Sequence, residues 1–265
     1  MDYQQLKKGV AYHKSKYPPN NDSWSYKNLR AKGDDYWLHL ERLHKSTIKT
    51  DVIDGFLQKW KTQIRHPDIV AESIAKAVSL LPDYYAGLKG IRLEDVNFQS
   101  RVTLKRKDGI SEEQITTIIG SIHSFFVQQP EIGSTITSKL IHMALPDLFV
   151  MLDRGIIDKY CVPRSYLPVI KKKRKSYVAF LILMQENINH AINCYASPSP
   201  LTKEKAISAI QKNHGNLPLT RLIDMANFAV RDCEQAVCME CMRKAKQRWH
   251  TELGLNYKWE DDSQE

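Results

Sequence analysis

Apolar residues recur with a helical period over most of this chain. Val52, Phe56, Trp60 and Ile64 stand at i, i+4, i+8 and i+12, one stripe of an amphipathic helix. Pro67 opens a second helix carrying Val70, Ile74, Val78 and Leu81, which Pro82 ends. Ser111-Glu112-Glu113-Gln114 fits a capping box, in which serine and glutamine satisfy amides left open at a helix start. Ile115, Ile118, Ile119, Ile122, Phe125 and Phe126 then predict a buried helix that closes before Pro130. After the short break Glu131-Ile132-Gly133-Ser134-Thr135, a helix with Ile136, Leu140, Met143 and Ala144 inside runs to Pro146. Further helices are expected at about 177–195, 203–213, 218–230 and 232–252, with Asn213, Gly215 and Asn216 marking one stop. Val102-Thr103-Leu104, followed by the basic turn-like Lys105-Arg106-Lys107-Asp108-Gly109, breaks the period and allows a short hairpin near 100–109.

The expected architecture is therefore mainly α, with no repeat of solenoid length. Four stretches are distinguished: 1–46, polar and aromatic; 47–130, a helical lobe; 131–156, a turn between helices and the loop that follows; and 157–265, helical again. Trp24, Tyr26, Tyr36 and Trp37 are expected to anchor the first stretch to the body.

Charge narrows the partners. Thirty-nine Lys and Arg against thirty Asp and Glu leave +9, which favours a polyanion such as DNA. An apolar run of membrane-spanning length is absent, and Met1-Asp2-Tyr3-Gln4-Gln5 does not begin a secretory signal. Five cysteines, an odd number in a chain of this size, fit a reducing, cytoplasmic setting and a monomer without disulfide staples.

The chemistry-bearing stretch is 131–156. A tight turn into a helix aims backbone N–H groups at one point, where the helix dipole adds positive character; together they can hold a DNA phosphate. Ile132-Gly133, an apolar helix, the loop Leu148-Phe149-Val150-Met151-Leu152 and then Asp153 resemble the helix-hairpin-helix DNA glycosylase superfamily, which includes endonuclease III and the adenine and oxoguanine glycosylases. The match covers about 26 residues, and Glu131 stands where the family carries the first glycine of the hairpin. The resemblance implies a two-lobed helical fold with a cleft between lobes, a hairpin turn at Ile132-Gly133 that with Ser134, Thr135 and Arg154 binds DNA, and Asp153 as the catalytic carboxylate. Cleaving an N-glycosidic bond builds positive charge on the sugar, and a carboxylate beside it stabilises that charge and helps water attack. The plainer alternative is that Asp153 caps the helix beginning Arg154-Gly155-Ile156.

Bifunctional members of the superfamily carry a lysine eighteen positions before the aspartate; here that position is Thr135, which implies a monofunctional, water-using enzyme. Lys139, one helical turn on, is the candidate amine nucleophile if the register shifts, and otherwise a solvated or phosphate-contacting lysine. A flipped base needs stacking and polar surfaces; His142, Tyr84 and Tyr85, with Trp37 and Phe98, are candidates, each also at home in a core. Cys233, Cys238 and Cys241, expected on one continuous helix, lack the fourth cysteine of the superfamily's iron–sulfur loop, so no metal or other cofactor is expected. Lys171–Lys175 and the run Arg243, Lys244, Lys246, Arg248 are expected to add basic surface. The family's divergent members include an antiphage enzyme that removes a glucosylated cytosine from viral DNA, which makes a modified phage base one expected substrate. A non-catalytic DNA-binding protein that keeps the hairpin is the alternative.

Overall fold

Residues 177–196 are apolar on nearly every side, and a helix of that composition has to lie inside. It does, and the other elements are built around it. A computed structural model describes residues 1–16, 48–60, 62–106, 109–167, 172–232 and 237–255. Among them the order is α1 (Tyr3–Lys16), a π-helix (Ile48–Leu57), α2 (Pro67–Ser79), α3 (Pro82–Leu88), β1 (Arg101–Arg106), β2 (Gly109–Gln114), α4 (Ile115–Val127), α5 (Ser134–Ala144), α6 (Arg154–Lys159), β3 (Arg164–Leu167), β4 (Lys172–Lys175), α7 (Tyr177–Ala196), α8 (Lys203–Asn213), α9 (Leu219–Asp232) and α10 (Met239–Leu253). The protein is mainly α, and the described strands form two separate antiparallel hairpins. No described helix is long and apolar enough to cross a membrane.

α7 packs against α1, α4, α8, α9 and α10. Trp249 of α10 is fully buried and donates its indole N–H to the Ala179 carbonyl at 2.8 Å. On the other flank, α1 crosses α9 so closely that a Cβ on Gly9 would lie 2.7 Å from the Ala226 Cα. Only glycine permits that approach, and it brings His13 edge-on to Phe228 at 5.0 Å.

Several local expectations change. The stripe at 48–57 winds as a π-helix, with Gln58 donating to Ile53 five residues back, and its apolar positions 48, 52, 53, 56 and 57 stay on one buried face at the wider pitch. The segment at 62–66 is not helical. Pro82 begins α3 and does not merely end α2, because its missing N–H is harmless in a first turn. Ser111-Glu112-Glu113-Gln114 is not a capping box: these residues pair with β1 across the hairpin, Ser111 opposite Leu104, and α4 starts at Ile115 without a side-chain cap. Sheet pairing over six residue pairs satisfies more backbone groups than one cap does. The helix expected at 232–252 starts later: α9, expected at 218–230, runs to Asp232, and α10 begins at Met239 with Cys238 as its N-cap. Lys172–Lys175, expected as loop, form a strand against Arg164–Leu167. The aromatic anchors Trp24, Tyr26, Tyr36 and Trp37, with Lys171 and Cys233, lie outside the described residues.

His13 makes the α1–α9 contact sensitive to acid. Burial, together with the charges of Arg221, Arg231 and Lys14, lowers its pKa from 6.5 to about 3. The folded protein therefore refuses a proton that the unfolded chain accepts below 6.5, so His13 costs the fold nothing at neutral pH and destabilises it progressively as pH falls from 6.5 toward 3. Between about pH 6.5 and 5 the loss should approach about 2 kcal/mol. Urea denaturation of wild type and His13→Gln across that interval should show a shallower pH slope in the variant; equal slopes would count against it.

Candidate functional site

α4 and α5 pack against each other and are joined by a turn over residues 128–133. Ile132 is buried in that turn and anchors it, and Gly133 caps α5 in an extended conformation. Glu131 holds φ at +60°, a left-handed conformation that side chains with a Cβ adopt at a cost. A Cβ on Gly133 would meet nothing within 4 Å, and among the described residues no side-chain cap bond closes the first turn of α5, at Ser134 and Thr135. The start of α5 is thus an open cluster of backbone N–H donors at the positive end of a helix.

From the end of α5 the chain turns at Pro146 and threads residues 148–152 through the interior, all five buried. Irregular backbone inside a core must find hydrogen-bond partners. His142 Nδ1 meets the Phe149 carbonyl at 2.6 Å, the Tyr177 hydroxyl donates to the Val150 carbonyl at 2.7 Å, and Ser138 Oγ accepts from Leu152 N–H at 2.8 Å. The Ser138 hydroxyl also faces the carbonyls of Leu152 at 3.3 Å and Thr135 at 3.1 Å. Asp153 follows this pinned segment at once.

Asp153 is the N-cap of α6. Its Oδ1 accepts from Gly155 N–H at 2.9 Å, and its Oδ2 lies 3.4 Å from Arg231 Nη1 on α9. The side chain keeps 38% of its surface open. Arg231 is held in turn by Asp232, at 2.6 Å from Nε, and by the face of Phe228, 4.5 Å away. Its aliphatic stem passes over Gly155, where a Cβ would come within 3.0 Å. Glycine at 155 is what lets this arginine reach the carboxylate. Sequence reasoning misses Arg231, because nothing in α9 marks it apart from other surface arginines.

The remaining candidates scatter. Lys139 donates through Nζ to the Trp60 carbonyl at 2.9 Å and to Thr62 Oγ1 at 2.6 Å, tying α5 to the segment after the π-helix. Trp60 is also covered by the Arg221 guanidinium at 4.5 Å, within a buried Arg221–Asp224 ion pair. His142 is fully buried and serves the 148–152 backbone, not an open wall. Tyr85 is buried with its hydroxyl on the Ala144 carbonyl at 3.3 Å, and Phe98 is wholly inside. Tyr84 is half-buried and bonds Arg106 of β1 at 2.9 Å. Arg154 contributes backbone to the first turn of α6. Arg248 does not extend a basic surface; it binds Glu186 at 2.8 Å and Glu252 at 2.6 Å. Among the described residues, no group of three His, Cys, Asp or Glu side chains could hold a metal ion.

Two substitutions probe this scaffold. Ser138→Ala leaves the buried Leu152 N–H without its acceptor and should cost about 1–3 kcal/mol in chemical denaturation. Glu131→Gly removes the left-handed strain and should stabilise the fold by about 1 kcal/mol, less whatever glycine adds to the freedom of the unfolded chain. A destabilised Glu131→Gly protein would contradict the turn geometry.

No family model, no curated protein and no solved structure matches this chain.

Proposed function

We propose that the protein is a DNA glycosylase, which takes a damaged or modified base out of the stack and hydrolyses its N-glycosidic bond with Asp153 as the assisting carboxylate. One observation carries the proposal: a partly open carboxylate stands on a rigidly hydrogen-bonded mount, downstream of a helix whose first turn, at Ser134 and Thr135, is uncapped. The open amides of that turn suit a phosphate, and the excess positive charge of +9 suits the rest of the strand. In this view the molecule is two-lobed, and the cleft between the 47–130 helices and the C-terminal helices receives the base.

The chemistry needs little from the protein beyond placement. As the bond to the base lengthens, positive charge develops on the sugar, and the Asp153 carboxylate lowers the energy of that state. Water adds at C1′ and loses a proton toward the carboxylate, while the departing base takes up a proton from its surroundings. Such positioned help amounts to roughly 10²–10⁴-fold. Arg231 orients one carboxylate oxygen and Gly155 N–H the other. The Lys139 amine is already engaged by Trp60 and Thr62, which favours water over an amine as the attacking group.

A second possibility is a non-catalytic DNA-binding protein. It is favoured by the same two contacts, since both Asp153 oxygens are occupied in a manner that a simple helix cap and ion pair would also produce. Incubation with duplexes carrying different modified bases, modified cytosines of phage DNA among them, followed by alkali cleavage, separates the two. Glycosylase action predicts abasic sites on at least one substrate, a loss of roughly 100-fold or more in Asp153→Asn, DNA binding by that variant that weakens steeply with salt, and no borohydride-trapped adduct. Salt-sensitive binding without abasic product on any base would leave the non-catalytic alternative.

A further inference from the structure

The division between α9 and α10 changes what two of the C-terminal cysteines can do. Cys238 is the N-cap of α10, and Cys241 sits one turn in, so the pair Cys238-Met239-Glu240-Cys241 straddles a helix start. The Cys238 sulfur accepts from the Cys241 N–H at 3.5 Å, in the place a serine or aspartate oxygen takes in an ordinary cap. Cys238 is half-buried and Cys241 is buried. The Cys241 sulfur lies 3.3 Å from the Met1 amine, which is held by Asn187 Oδ1 at 2.7 Å, and 3.7 Å from the Glu186 carbonyl.

We propose that Cys238 and Cys241 form a redox-active dithiol, with Cys238 the attacking thiol and Cys241 the resolving one, whose substrates are small disulfides of the glutathione class. The roles follow from position. Cys238 is the more reachable sulfur and sits at the positive end of the helix; Cys241 is shielded from solvent, one turn on, with its backbone N–H on the Cys238 sulfur. The acid–base balance agrees. Burial opposes ionisation of Cys238, yet the thiol and N–H of Cys241 and the Met1 amine bring it below the usual thiol range. Burial and then the Cys238 contact push Cys241 up to about 12.

The reaction balances without any other reagent. The Cys238 thiolate attacks one sulfur of the small disulfide; that S–S bond breaks, and the first small thiolate leaves with the electron pair and takes up a proton. Cys241 then loses its proton and attacks the Cys238 sulfur, breaking the mixed disulfide and releasing the second small thiol. The protein has lost two hydrogens, and the small disulfide has been reduced to two thiols. Nothing in this proposal depends on glycosylase activity.

The test equilibrates the full chain in glutathione buffers of rising oxidised-to-reduced ratio, quenches with acid, alkylates, and maps the cysteine peptides by mass. The expected result is a peptide joining Cys238 to Cys241 that is lighter by two hydrogens and restored by dithiothreitol. Cys241→Ser should trap glutathione on Cys238, and Cys238→Ser should give neither cross-link nor adduct at Cys241. In the unmodified protein at about pH 6.5, Cys238 should alkylate roughly tenfold faster than the exposed Cys161. That last comparison needs no variant, so it stands even if a substitution prevents folding. An absent cross-link under fully oxidising buffer, or a Cys238 no faster than Cys161, would overturn the proposal.

Discussion

Everything near Asp153 depends on how the buried backbone of residues 149–152 is satisfied. That segment has no helix or strand to bond with, yet it runs through the interior, where an unmet N–H or C=O is costly. Side chains from two helices supply the partners, His142 and Ser138 from α5 and Tyr177 from the first turn of α7. Because each partner is itself buried, the segment has few alternative paths, and the carboxylate that follows inherits a fixed origin. Irregular backbone becomes a rigid mount by being hydrogen-bonded from both sides.

The same constraint explains why residues that look chemical are occupied elsewhere. A histidine on an apolar helix suggests a pocket, but His142 is used to meet a carbonyl. A lysine beside the expected nucleophile position suggests reactivity, but the Lys139 ammonium closes the end of the segment after the π-helix. Buried polar groups serve first the backbone around them, whereas the Asp153 carboxylate, bound by Gly155 N–H and Arg231, keeps part of its surface open.

A second layer converges on the same place from the chain's beginning. α1 lies on α9 through the Gly9–Ala226 crossing, and α9 carries Arg231 to Asp153 and Arg221 to Trp60. The helix that orients the carboxylate is thus also the one that receives α1, and Phe228 lies against both His13 and Arg231. Disturbing that contact, as protonation of His13 does, acts on a helix that also reaches the candidate site.

Much of the helical framework was legible in the sequence. The 3.6 period located α2, α4, α5, α7, α8 and α9 to within a few residues, because apolar stripes are local and repeat many times. The turn at 131–133 was legible through Gly133 and the apolar Ile132. Where two local signals competed, the sequence misled: residues 111–114 carry capping-box chemistry, and only the facing strand 101–106, which provides six pairs, decides for a sheet. The break before Cys238 was hidden because apolar and charged residues alternate through 232–252 with no proline or glycine to mark it. Residue type and spacing alone therefore determined a basic, mainly helical chain in which two helices, a short turn between them and an aspartate follow one another. Tertiary structure alone decided that Arg231, seventy-eight residues away, meets that aspartate, and that His142 and Lys139 do not. The reason is physical: periodicity is written in neighbours along the chain, whereas which polar groups stay open is settled only when distant segments have taken their hydrogen bonds.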